Sequence, residues 1–160
     1  MWFLKFLLIT IFFLILFQDY YHRKVYWFLY PFVGILAFVL QMDIVPIYSV
    51  LVNAGFNLLV VLVLLLVCYL YASLKLQQPL LKEVFGLGDV LFFIFIAFSF
   101  SIISFFVLLI FSLLFSLLLH VVLQHKQAEK TVPLAGYMSL FFGVVYGISF
   151  FWNSNFLYAY

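Results

Sequence analysis

Residues 90–124 read VLFFIFIAFSFSIISFFVLLIFSLLFSLLLHVVLQ, a run without one Asp, Glu, Lys or Arg. No soluble domain could bury such a run and keep a wettable surface. A bilayer can accept it. It then admits only helices or closed barrels, because every backbone N–H and C=O must be bonded internally. The run is continuous rather than alternating, which favours helices over barrel strands. The whole chain conforms. Of 160 residues 70% are hydrophobic and 8% charged, and the mean hydropathy is +1.36. A soluble domain is about half apolar and about a quarter charged. The chain reads as an all-α integral membrane protein.

Apolar segments fall at 2–17, 26–41, 47–72, 90–105, 106–124 and 132–151. As one helix, 90–124 would be about 52 Å long, against a hydrocarbon core of about 30 Å. Two spans fit better, with a tight reversal near Ser99-Phe100-Ser101-Ile102-Ile103-Ser104, although no glycine or proline marks it. The N-terminal run ends in Leu16-Phe17-Gln18-Asp19-Tyr20-Tyr21. A leader cleavage site wants small residues there, so this run reads as a retained span.

Charge fixes the sides, because Lys and Arg collect on the cytoplasmic face. The first polar loop holds Arg23 and Lys24, the third Lys75 and Lys82, and the fifth Lys126 and Lys130. The second, around Asp43, has no positive charge. Six spans put all six of these basic residues on one side, whereas five would move the last pair across. The expectation is a single domain, 1–160, built as a bundle of six transmembrane helices with both termini extracytoplasmic. It would be a multi-pass protein of the cytoplasmic (inner) membrane. Lys5 is the one dissenting charge.

In this topology Asp19 lies at the cytoplasmic end of span 1 and Asp89 at the cytoplasmic start of span 4. Two carboxylates at one depth on different helices could meet inside the bundle. Each has an ordinary reading too: Asp19 could pair with Arg23 at i,i+4, and Asp89 could be a helix N-cap. Acids at membrane depth are costly, however, and mark function. Gly86 and Gly88 remove side chains just before Asp89, so an extended substrate backbone could approach closely. Two nearby carboxylates share a proton. One can then act as base on water and the other as acid toward a carbonyl. Asp89, at a helix N-terminus, reads as the base, and Asp19, at a helix C-terminus, as the proton holder. Arg23 pulls the other way.

The motif Gly86-Leu87-Gly88-Asp89 resembles the GxGD signature of intramembrane-cleaving aspartic proteases. Within that group the chain resembles the type IV prepilin peptidases, including the preflagellin peptidases. The segment FQDYYHRKVYWFLYP resembles their first-aspartate site, FGLGDVLFF their second, and TVPLAGYMSLFFG the proline-led opening, at Pro133, of their last helix. The resemblance implies a six-helix catalytic core with Asp19 and Asp89 as the water-activating dyad, and Arg23 and Pro133 in support. It implies a prepilin-like protein substrate, cut just before its apolar helix and often after a glycine. Leu91 stands where members commonly carry a lysine.

The remaining residues narrow the choice. A net charge of +2 gives no case for nucleic acid. Cys68, the single cysteine, forms no disulfide within the chain. His22, His120 and His125 have no i,i+4 pair, so neither a metal nor any other cofactor is expected. Asn53 and Asn57 share a face of span 3 and suit interhelical hydrogen bonds. Expected partners are the bilayer and the prepilin-like substrate; the oligomeric state is not legible. Two other classes fit the acids: a small proton- or ion-translocating subunit, or an inactive peptidase homologue that only binds pilin-like proteins. A carrier would show polar or helix-breaking residues mid-span, and spans 4 and 5 carry only serines.

Overall fold

The computed structural model describes residues 1–76, 86–123, 132–151 and 157–158, with 75 and 76 as backbone only. Pro79, Lys82, Glu83, His125, Lys126, Glu129 and Lys130 lie outside the described residues. Among those described there are six α-helices and no strand. They are α1 (Trp2–His22), α2 (Leu29–Met42), α3 (Ile47–Tyr71), α4 (Leu87–Ile96), α5 (Ile102–Leu123) and α6 (Leu134–Ile148). A π-helical turn, Ala72–Leu76, continues α3.

Long and short helices alternate. The segments Trp2–His22, Ile47–Leu74 and Ile102–Leu123 are long and apolar enough to cross a bilayer. Between them, α2, α4 and α6 have 14, 10 and 15 residues. At about 1.5 Å per residue, α4 is only about 15 Å long. The outward faces of the long helices carry Phe3, Phe6, Leu62, Leu66, Leu117 and Leu118, all exposed. That surface suits lipid rather than water. Polar side chains turn inward instead: Gln41, Asn57, Ser99, Ser112, Ser116 and Ser139 are fully buried.

Packing gives the helix directions. α1 and α6 run antiparallel along their length. Asp19 meets Gly136, Phe12 stacks near Phe142 at 6.3 Å, and Lys5 reaches Ser149. α2 runs parallel to α4, with Tyr30 against Gly88, Gly34 against Phe95 and Phe38 near Phe98. α4 runs parallel to α6, from Asp89 and Ala135 at one end to Phe100 and Tyr146 further along. α5 opposes α6, with Phe115 on Phe141 and Leu123 sharing a groove with Tyr137. The chain therefore does reverse between α4 and α5. The end of α1 and the starts of α2, α4 and α6 come together at one end of the bundle.

The reversal lies at 97–101, slightly earlier than the sequence suggested, so α5 begins at Ile102 rather than 106. The reason is not local. Asn57 Nδ2, from the middle of α3, donates to the carbonyls of Ala97 (3.0 Å) and Phe100 (2.8 Å). Those carbonyls have no partner within a helix once α4 stops. Asn57 thus supplies the break that a glycine or proline would otherwise mark.

Lys5 also finds a structural account. Its Nζ donates to the Ser149 carbonyl at 3.1 Å and sits 5.8 Å from the Phe150 ring. A cation on the final carbonyls of α6 complements the helix dipole. The charge that broke the sidedness pattern serves the end of a helix.

An aromatic core lies beneath the gathered helix ends. Phe12, Phe92, Phe100, Phe142 and Tyr146 are all but fully buried. Phe100 lies 5.7 Å from Phe142 and 5.5 Å from Tyr146. Phe12 lies 6.3 Å from Phe92. Such ring pairs each contribute about 0.5–1.5 kcal/mol beyond burial. They tie α1, α4 and α6 into one unit, and these are the three helices that carry the site.

Candidate active site

Asp19 sits in the last turn of α1, which extends past the segment 2–17 to His22. Arg23 then ends the helix in the left-handed region, at φ 53°. A non-glycine residue there is strained, and the turn it makes directs the chain toward α2. Gln18 helps to fix the connection, since its Oε1 accepts the Tyr26 N–H at 3.0 Å. The Arg23 charge lies near enough to act on both Asp19 and Asp89.

Asp89 is the third residue of α4, not its N-cap. Gly86 holds the capping position in an extended conformation, and its N–H donates to Asp89 Oδ2 at 3.2 Å. This is the backward half of a capping box. It leaves Asp89 Oδ1 free to look across to α6.

The first turn of α6 joins the two acids. Any helix opens with N–H groups that have no partner inside it. Pro133 occupies the N-cap and offers no side-chain bond. The Leu134 N–H turns back to the Val132 carbonyl, and that of Tyr137 closes the first helical bond to Pro133. The two amides between them face outward. Ala135 N–H donates to Asp89 Oδ1 at 2.8 Å, and Gly136 N–H donates to Asp19 Oδ2 at 2.7 Å. Adjacent backbone nitrogens lie closer than the 3.8 Å Cα spacing, so the two bonded oxygens are at most about 9 Å apart. Both aspartates are partly buried.

Position 136 is tight against Asp19. A Cβ there would lie 3.0 Å from Asp19 Oδ2 and 3.1 Å from Asp19 Cβ. The bare backbone lets α6 settle onto α1 closely enough to make the bond. Gly88 has a different use from the one its motif suggested. The space it leaves is filled by the Tyr30 hydroxyl, which a Cβ would meet at 2.5 Å. The clearance at Gly88 is thus taken by a side chain of the bundle itself. Gly86 remains exposed beside the Asp89 carboxylate.

The structure thus brings Asp19, Asp89, Gly86 and the residues after Pro133 to one place. Sequence reasoning missed Ala135, Gly136 and Tyr30. A glycine three residues after a helix-opening proline is a usable signal, because glycine costs a helix about 1 kcal/mol relative to alanine. Tyr30 carried no signal beyond preceding Pro31. Leu91 is packed against the core. Among the described residues, no group of three or more His, Cys, Asp or Glu side chains is gathered as metal ligands would be. Comparison with protein-family models, curated proteins and solved structures finds no match for this chain.

Proposed function

We propose that this chain is a multi-pass membrane aspartic endopeptidase of the prepilin peptidase type, with Asp19 and Asp89 as its catalytic pair. The observation that carries the reading is the pair itself: two carboxylates from separate helices, held on adjacent amides of a third. Sharing one proton, they supply a base and an acid together. The ionised carboxylate takes a proton from water as its oxygen adds to the scissile carbonyl carbon. The carbonyl oxygen takes the displaced electron pair and the proton of the other aspartate. The amide nitrogen is then protonated, the C–N bond breaks, and a carboxylic acid and an amine leave. Among the described residues Asp89 accepts two backbone N–H groups and Asp19 one. That difference favours Asp89 as the ionised base; Arg23, next to α1, favours the reverse.

The reading carries a topology with it. Six spans would cross the cytoplasmic membrane, both termini would lie outside, and the aspartates would face the cytoplasm. A prepilin-like substrate would present its basic leader there. Co-expression with a prepilin from the same genome tests the activity. The expected result is a shortened product that disappears with Asp19→Asn and with Asp89→Asn. Cleavage surviving both changes would overturn the reading.

A second reading draws on the same hydrogen bonds. The two aspartates would be external caps for α6 in an inactive homologue that only binds pilin-like proteins. Asparagine separates the two, because it keeps an oxygen for the amide but cannot act as a base. A cap-only role predicts asparagine variants that behave like the parent in every respect.

A further inference from the structure

Tyr30 is the second residue of α2 and is 1% exposed. Its ring meets Phe92 edge-on at 6.4 Å, and its hydroxyl rests against Gly88. Gly88 and Phe92, four residues apart, share one face of α4, so the phenol is held against the face that begins next to Asp89. Both carboxylates are near enough to act on it electrostatically. Yet among the described residues its hydroxyl has no hydrogen-bond partner. Buried phenols normally find one, and a buried donor left without an acceptor opposes folding. A donor near two carboxylates and bonded to neither still has its hydrogen bond to give.

We propose that the Tyr30 hydroxyl is a further catalytic group, donating a hydrogen bond to the carbonyl oxygen of the scissile peptide as negative charge builds there. The inference rests on the peptidase reading. It gives the site a second donor, one that keeps its proton and is set in advance where charge develops. Gly88 then has a purpose within the chain: a Cβ there would meet the hydroxyl at 2.5 Å and displace it. The phenol exchanges no proton. It stabilises the tetrahedral intermediate and is left unpaired again when the C–N bond breaks.

The test uses the full chain, purified in lipid nanodiscs, with a prepilin from the same genome. It compares kcat, KM and melting temperature for the parent, Tyr30→Phe, Asp19→Asn and Asp89→Asn. The phenylalanine variant keeps the ring contacts and loses only the hydroxyl. The expected result is a kcat lower by about 10–100-fold, KM within about threefold, and a melting temperature equal to the parent's or higher. Tyr30→Phe with parental kcat, beside inactive asparagine variants, overturns the role of Tyr30 and leaves the peptidase reading standing. A variant that melts lower or fails to fold, or in which KM suffers as much as kcat, marks Tyr30 as structural and also overturns it. No cleavage by the parent removes both readings.

Discussion

The two ends of α6 are handled by the same partner helix in opposite ways. At its C-terminus, α1 offers the Lys5 ammonium to the Ser149 carbonyl. At its N-terminus, α1 offers the Asp19 carboxylate to the Gly136 amide. Each charge complements the dipole at its end, an effect of about 0.3–1 kcal/mol near the surface. One such charge per end would be enough. The N-terminal end receives a second carboxylate, from α4, on the neighbouring amide. Two acids crowded at one helix start repel each other when both are ionised. Capping does not call for that surplus, whereas acid–base chemistry does.

The comparison breaks most readily at the aspartates. Asp19→Asn and Asp89→Asn each keep a cap for α6 and are expected to lower cleavage by about 10²–10⁴-fold. Their melting temperatures should stay near the parent's, and a product assay beside a thermal melt checks both. Next comes Gly136→Ala. Its Cβ would press on Asp19 and shift the carboxylate or α6 by a few tenths of an ångström. A displacement of that kind can cost about 10²-fold in rate and about 1–3 kcal/mol in stability, read from kcat/KM and a melt.

The pH profile sharpens the same point. With both acids protonated there is no base, and with both ionised there is no proton for the carbonyl oxygen. Activity should therefore fall on both sides of an optimum. A profile with a single limb would tell against a shared proton. Away from the site, Asn57→Leu removes two bonds to the α4–α5 break and should cost about 1–3 kcal/mol. Cleavage per folded molecule should be unchanged, because Asn57 bonds the break at the far end of α4. The smallest effect belongs to the other end of the comparison. Lys5→Met should lower stability by about 0.3–1 kcal/mol and leave the rate untouched.

Much of this arrangement was legible in the residues, and the rest failed for identifiable reasons. Asp19 and Asp89 stood out because acids are rare in so apolar a chain, and charge sidedness put them at one depth. The run 90–124 was too long for one helix, so a break was forced. Its position was not, because the group that makes it is Asn57, some forty residues earlier. The join between the aspartates was hidden for a similar reason. It is made by backbone amides of Ala135 and Gly136, and backbone carries no residue signature. The space before Asp89 at Gly88 is taken up within the bundle. Its occupant, Tyr30, belongs to α2 and could not be read from the motif.

The pairing of α1 with α6 also sets an order of assembly. Asp19 and the amide that receives it are 117 residues apart in the chain. Synthesis at about 5–20 residues per second separates them by on the order of ten seconds. Asp89 is made partway through that interval, and for the 46 residues between it and Ala135 both aspartates exist while neither has its α6 amide. The site is therefore latched late in the chain's own making, when α6 slides in beside a helix made long before. A nascent chain has the acids without the geometry that holds them together.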